Sequence, residues 1–163
     1  LAGAVRAGKE KCMKIAIGSD EAGFELKNKL AAYIEGLKHE VQDCGCYSEA
    51  PVIYADIAVK VAEEVVEGRA DRGILICGTG IGMAIAANKV PGIRAAQCHD
   101  TYSAERAAKS NNAKVITMGA RVIGLELAKS IVKTYLESFY KDGPSTPKIE
   151  RIMEYEQTLH AKQ

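Results

Sequence analysis

A cysteine stands directly in front of a glycine-rich turn in the stretch ILICGTGIGMAIAANK, residues 74–89. Gly78, Gly80 and Gly82 carry no Cβ, so backbone N–H groups in this turn can point at one spot. The helix pattern that follows adds the positive end of a helix dipole. Together these features predict a cradle for an anion, either a phosphate group or an oxyanion that develops during a reaction.

Cys77 gives this turn its possible chemistry. A thiol at the end of a strand, facing helix-directed N–H groups, is expected to have its thiolate favoured. A thiolate can act as a nucleophile or as a base that moves a proton. Two simpler interpretations remain, because glycines also permit close strand-to-helix packing and a cysteine in an apolar strand is often a small buried hydrophobe. A dinucleotide-binding site is a weaker interpretation still. The glycine-rich fingerprint of such sites follows the first strand, whereas the first strand here leads into Ser19-Asp20-Glu21.

Strand patterns alternate with helix patterns along the chain. Strands are predicted at 13–20, 39–45, 72–78, 92–98 and 113–119, and helices at 21–38, 56–68, 81–89, 101–110, 125–140 and 148–163. This alternation predicts a parallel sheet with helices on both faces. Residues 13–163 are interpreted as one domain, and residues 1–12 as a disordered extension or a cloning remnant.

Ligands of such sheets bind outside the carboxyl ends of the strands. We therefore expect the residues that follow the strands to converge on one crevice: Ser19 to Glu21, Cys77 to Gly82, His99 and Asp100, and Gly119 to Arg121.

Composition excludes several classes of protein. The formal net charge is +1, which provides no basic field for nucleic acid. No apolar stretch approaches the ~20 residues of a membrane span, and the first residues lack the apolar region of a signal peptide. Cys44-Gly45-Cys46 lacks the second pair or the histidines that a zinc site needs, so no metal is expected. These features predict a cytoplasmic protein that does not bind membranes.

Several stretches resemble the ribose-5-phosphate isomerase B / galactose-6-phosphate isomerase family: KIAIGSDEAGFELK, ILICGTGIGMAIAANKVPGIRAA, HDTYSAERA, NNAKVITMGARVIGLELA and the tail helix. The resemblance runs from about Met13 to the end. It implies a Rossmann-like three-layer α/β/α sandwich with a five-stranded parallel sheet. It also implies a homodimer or dimer of dimers, with the active site shared between subunits and the C-terminal helix packed on the partner. The family interconverts aldose and ketose phosphates without a metal or cofactor.

The resemblance also implies roles for individual residues in the glycine turn. Cys77 matches the family's base, which takes a proton from C2 and delivers it to C1 through a cis-enediolate. The Thr79 hydroxyl and the turn amides would stabilise the charge on the enediolate oxygen. These amides belong to Gly78, Gly80, Ile81 and Gly82.

Four more residues match substrate-binding positions of the family. Asp20 matches an aspartate that binds sugar hydroxyls, and Asn111 an asparagine that contacts the sugar. Arg121 matches a phosphate-binding arginine, and Tyr54 a tyrosine that lines the pocket. Asp20 could instead cap the helix predicted at 21–38, and Asn111 could be a helix C-cap.

The chain departs from the family at the groups that open the sugar ring and hold the phosphate. Glu21 replaces a phosphate-binding histidine, and Ser110 replaces the histidine implied to open the furanose ring. Of two arginines expected before the tail helix, one is Pro144 and only Lys148 keeps a charge. We therefore expect weaker or different phosphate binding. His99 is the next candidate for ring opening, although it could equally be a surface histidine.

Three classes of function follow. A sugar-phosphate isomerase is favoured, with ribose 5-phosphate as the first substrate and a tetrose phosphate such as erythrulose 4-phosphate, or galactose 6-phosphate, as alternatives. A substrate that cannot cyclise would need no ring opener. A non-catalytic sugar-binding paralogue is second and a nucleotide-binding module last.

Overall fold

The computed structural model describes residues 11–162. Five strands form one parallel sheet: β1 (Lys14–Ser19), β2 (Glu40–Asp43), β3 (Arg72–Cys77), β4 (Ala95–Gln97) and β5 (Val115–Gly119). Six α-helices alternate with them or follow them: α1 (Phe24–Gly36), α2 (Tyr54–Val66), α3 (Ile81–Ala87), α4 (Thr101–Lys109), α5 (Leu125–Leu136) and α6 (Thr146–His160). The predicted α/β class and parallel five-stranded sheet are confirmed.

The sheet order is β2-β1-β3-β5-β4, so β3 lies at the centre. All six residues of β3 are buried, which explains its nearly unbroken apolar sequence. Ile74 and Ile76 pack with α1, α4 and α5 on one face, whereas Leu75 and Cys77 pack with α2 and α3 on the other. The period-2 alternation of the central strand thus builds both cores of the three-layer sandwich.

The parallel register brings the carboxyl ends of the three central strands together. Ser19 lies opposite Ile76, and Cys77 lies opposite Gly119. The residues that follow β1, β3 and β5 therefore share one edge of the sheet, as the sequence predicts.

Side-chain hydrogen bonds explain two of the element boundaries that differ from the prediction. A short 3-10 turn (Glu21–Gly23) precedes α1, because the Asp20 carboxylate accepts a hydrogen bond from the Gly23 N–H at 3.1 Å. Helix α5 ends at Leu136 and not at residue 140. The buried Arg72 guanidinium donates to the carbonyls of Tyr135 and Ser138, and so caps the end of this helix.

Helix α6 projects an apolar stripe into solvent. Ile149 is buried, but Ile152, Tyr155 and Leu159 are at least half exposed. No helix within residues 11–162 has the length and apolarity to cross a membrane. The predicted extension at 1–12 lies almost entirely outside the described residues, and so remains a prediction.

Candidate active site

An open cleft of about 420 Å³ lies at the carboxyl edge of the sheet. The residues that line it are Asp20, Tyr54, Cys77, Gly78, Thr79, Ile81, Gly82, Ile85 and Arg121. All of them except Ile85 are site residues predicted from the sequence. The structure thus brings the proposed base, the glycine turn and three of the proposed substrate contacts into one cleft.

Cys77 lies at the floor of this cleft, with 6% of its surface exposed. Its sulfur accepts a hydrogen bond from the Gly80 N–H, with an N···S distance of 3.0 Å. The hydrogen-bonded sulfur thus lies where a molecule in the cleft would contact it.

Gly80 requires the absence of a side chain for two separate reasons. Its φ of +78° lies in the left-handed region, and a Cβ would come within 2.9 Å of the Met118 backbone on the neighbouring strand. The turn can therefore fold tightly against β5 only with glycine here. This contact fixes the distance between the glycine turn and the sheet edge.

The start of α3 completes the turn. The Thr79 hydroxyl oxygen accepts a hydrogen bond from the Ile81 N–H at 3.3 Å, which orients the hydroxyl at the mouth of the cleft. An added Cβ on Gly82 would lie 2.6 Å from the Tyr54 ring. Gly82 thus allows the aromatic ring, at the first residue of α2, to lie directly against the turn.

Arg121 brings positive charge to the cleft, beside the glycine turn. Its backbone N–H donates to the Gly78 carbonyl at 3.0 Å, and its guanidinium lies beside Gly78. The side chain is exposed, and its charge helps to lower the pKa of Glu21. An anionic group in the cleft would meet this guanidinium.

Asp20 both caps the 3-10 turn and lines the cleft, so the two interpretations of this residue are compatible. Burial raises the pKa of its carboxyl above the ordinary value, although the Gly23 N–H acts in the opposite direction. A partly desolvated carboxylate is a strong acceptor for sugar hydroxyls.

Glu21 is directed at the backbone rather than into the cleft. Its carboxylate accepts a hydrogen bond from the Val52 N–H at 3.1 Å. Its own N–H and the Val52 N–H lower the pKa of the carboxyl, and the charge of Arg121 adds to this effect. Glu21 thus ties the segment before Tyr54 to the end of β1, and its charge is satisfied without a phosphate.

His99 lies near the sheet edge but does not line the cleft. Its Nε2 accepts a hydrogen bond from the Gly119 N–H at 2.9 Å. The imidazole therefore holds the end of β5, opposite Cys77, in place.

Ser110, Asn111 and Lys148 lie outside the cleft of this chain. Ser110 caps the end of α4, and its hydroxyl lies 3.4 Å from an Arg106 nitrogen. Asn111 and Lys148 are exposed. The left-handed residue after α4 is Asn112 (φ +47°), so the C-cap interpretation of Asn111 does not hold.

Arg94 connects the end of α4 to α6. Its Nε donates to the Asn111 carbonyl and its Nη2 to the Asn112 carbonyl, each at 3.0 Å, and Nη1 lies 3.1 Å from the Met153 sulfur. The Glu156 carboxylate of α6 also accepts from the Gly92 N–H.

The sequence analysis did not single out Arg94. It missed Ile85 too, although Ile85 lies four residues after Ile81 on the same exposed face of α3.

Comparison with known proteins identifies the family. The profile of the Ribose/Galactose Isomerase family matches residues 15–152. The chain belongs to this family. It is therefore an isomerase.

Individual members of the ribose/galactose isomerase family are similar over nearly their whole length. A ribose-5-P isomerase B of Listeria innocua is 54% identical over 145 residues, covering 89% of this chain and 98% of that protein. A D-erythrulose-4-phosphate isomerase of Pectobacterium atrosepticum is 53% identical over 148 residues, covering 88% and 95%. The solved ribose-5-phosphate isomerase B of Clostridium thermocellum superposes with a TM-score of 0.88 at 45% identity, covering 90% and 99%.

The hydrogen bond from the Val52 N–H to the Glu21 carboxylate predicts how substitutions of Glu21 affect substrate binding. Glu21→Ala should raise KM several-fold, because loss of the acceptor releases the segment that carries Tyr54. Glu21→Gln keeps an acceptor oxygen and should stay within about twofold of wild type. Steady-state kinetics of both variants test this. Tighter substrate binding by Glu21→Ala would show instead that the carboxylate repels the substrate.

Proposed function

We propose that this isomerase moves a carbonyl group between C1 and C2 of a short sugar phosphate, with Cys77 as the acid–base group. The observation that carries the proposal is the hydrogen bond from the Gly80 N–H to the Cys77 sulfur at the floor of the cleft. It places the sulfur beside a backbone N–H in the cleft, and proton abstraction next to a carbonyl needs a base and a donor for the developing oxyanion close together.

The proposed reaction begins with an open-chain aldose whose C1 carbonyl faces the glycine turn. The Cys77 thiolate takes the proton from C2, and the electron pair moves into a C1–C2 double bond while negative charge develops on O1. A proton then passes from the O2 hydroxyl to O1, and the Cys77 thiol returns its proton to C1 as O2 becomes the new carbonyl oxygen. The same thiol thus ends each turnover as a thiolate.

The other cleft residues would bind the substrate in this reaction. The turn amides and the Thr79 hydroxyl stabilise the enediolate oxygen, and Asp20 accepts hydrogen bonds from sugar hydroxyls. Arg121 attracts the phosphate, and Tyr54 covers the bound sugar. Retention of both Cys77 and the tight turn at Gly80 supports an enzyme over a non-catalytic sugar-binding paralogue.

We also propose that a second copy of the chain completes the site. The α3 face beside the cleft exposes Ile81 and Ile85 by 53% and 60%, and α6 exposes its own apolar stripe. Two such surfaces are unusual on a monomer. A dimer that buries them would bring a partner's Ser110, Asn111 and Lys148 to the cleft, which their own subunit does not do.

Ribose 5-phosphate is the first candidate substrate, and a tetrose phosphate is the second. Similarity to ribose-5-phosphate isomerases supports the five-carbon sugar. Ser110 at the ring-opening position favours the four-carbon sugar, as does similarity to an erythrulose-4-phosphate isomerase, because a tetrose phosphate with its terminal hydroxyl esterified cannot form a furanose ring.

The role of Cys77 predicts a large loss of turnover on its removal. Cys77→Ala should lower kcat by about 10²–10⁴-fold and leave KM nearly unchanged. Cys98→Ala is the matched control, because burial raises the pKa of the Cys98 thiol to about 12 and keeps it protonated. Coupled assays on both variants measure the contrast. Near-full activity of Cys77→Ala would refute the assignment.

Substrate length is decided by comparing ribose 5-phosphate with erythrose 4-phosphate. If Ser110 reflects an open-chain substrate, kcat/KM should be higher for the tetrose, and Ser110→His should raise the rate on ribose 5-phosphate without raising it on the tetrose. A higher kcat/KM for ribose 5-phosphate in the wild type would instead select the five-carbon sugar. Activity on unphosphorylated sugars alone would overturn the phosphate interpretation.

A shared active site predicts complementation between two impaired variants. Cys77→Ala and Asn111→Ala chains, unfolded together and refolded, should recover up to about a quarter of wild-type activity, because one site of each mixed dimer is intact. Each variant refolded alone is the control. A mixture no more active than the sum of the two would mean that Asn111 acts within its own subunit, or not at all.

A further inference from the structure

Each carbonyl oxygen from Cys77 to Gly80 accepts a hydrogen bond from outside the turn or from the helix that follows it. The Cys77 carbonyl accepts from the Ala120 N–H at 2.8 Å, and the Gly78 carbonyl from the Arg121 N–H at 3.0 Å. Because a trans peptide directs its N–H opposite to its C=O, these anchors decide where the amides of the turn point.

Side chains contact the two remaining carbonyls, and the Gly80 carbonyl also accepts from the Ala84 N–H at 3.1 Å. The buried Thr117 hydroxyl donates to the Gly80 carbonyl at 2.8 Å. The Gln97 side-chain amide, at the end of β4, donates its Nε2–H to the Thr79 carbonyl at 2.7 Å. Thr117 lies within the sheet, whereas Gln97 is exposed and reaches the turn from the edge strand.

The peptide that Gln97 holds is the one whose N–H reaches the catalytic sulfur. It joins Thr79 to Gly80, and its N–H is the donor to Cys77 Sγ at 3.0 Å. This peptide adjoins Gly80, whose backbone can adopt either sign of φ, so a rotated peptide is sterically accessible. An anchor on the carbonyl side is therefore needed to keep the N–H directed at sulfur.

We propose that Gln97 is a positioning residue for Cys77, acting through the Thr79–Gly80 peptide. It does not line the cleft. Its amide fixes the direction of the N–H that stabilises the thiolate, and of the same N–H when an enediolate forms. The inference deepens the proposed function, on which its consequence for turnover rests.

The test uses two variants of the full-length protein and a matched control. Gln97→Met removes the donor at similar size, and Gln97→Glu places a carboxylate against the Thr79 carbonyl. Gln42→Met removes a comparable amide, which donates to Glu64 at 2.9 Å outside the cleft. Because Gln97 is exposed, melting temperatures near that of the wild type are expected and are measured first.

The deciding measurement is the rate at which iodoacetamide alkylates Cys77 at pH 7, followed by mass spectrometry of the peptide that contains it. We expect Gln97→Met to slow alkylation about two- to threefold, because a smaller thiolate fraction outweighs the greater nucleophilicity of each thiolate. Gln97→Glu should slow it further, and Gln42→Met should leave it unchanged. Equal alkylation rates in wild type and both Gln97 variants would overturn the proposal.

Turnover gives the second measurement. Loss of one hydrogen bond to the turn should lower kcat about 3- to 10-fold in Gln97→Met, with KM within about twofold. A rise in KM with kcat unchanged would contradict positioning of the thiolate. If the wild-type protein isomerised no sugar phosphate, the proposed function would fail, and the alkylation rates would still decide the role of Gln97.

Discussion

The hydrogen bond between the Gly80 N–H and the Cys77 sulfur is the interaction on which the site depends. It requires β3 to end at Cys77, the chain to turn back within three residues, and Gly80 to adopt a left-handed conformation against the Met118 backbone. The central position of β3 and its register with β5 make this turn rigid, since backbone N–H groups of the β5–α5 loop hold two of its carbonyls. The sheet register and the β5–α5 loop thus together orient the Gly80 N–H toward the Cys77 sulfur.

The residues at the two positions where the family resemblance implies histidines, Glu21 and Ser110, make structural contacts of their own. Glu21 fixes the segment leading to Tyr54, so its charge has a structural partner on its own chain. Ser110 and Asn111 belong to a separate group beside Arg94 and α6, away from the cleft of their own subunit. In the proposed reaction, proton transfer uses the cleft residues, whereas ring opening and the second phosphate contact would depend on the group beside α6.

The sequence predicted the parts of this arrangement that depend on local pattern. Hydrophobic periodicity identified all five strands, and the glycine spacing predicted the tight turn directly after Cys77, because such a turn needs glycine. The destination of Glu21 could not be predicted, since its acceptor role depends on where residue 52 lies in space. Gln97 was missed for a similar reason: its reach to Thr79 depends on β4 lying beside β5, and nothing in the local pattern gives strand order. The dimer and the cytoplasmic location stay predictions.

The most direct test of proton transfer through Cys77 is isomerisation in D2O, followed by NMR of the product. If the thiol carries the proton, it exchanges with solvent during turnover, and the ketose formed from ribose 5-phosphate or erythrose 4-phosphate should carry deuterium at C1. In the Cys77→Ala variant, the rate of deuterium incorporation should fall with kcat, far below that of the wild type. Deuterium incorporation by Cys77→Ala at the wild-type rate would show that another group moves the proton, and would contradict the account.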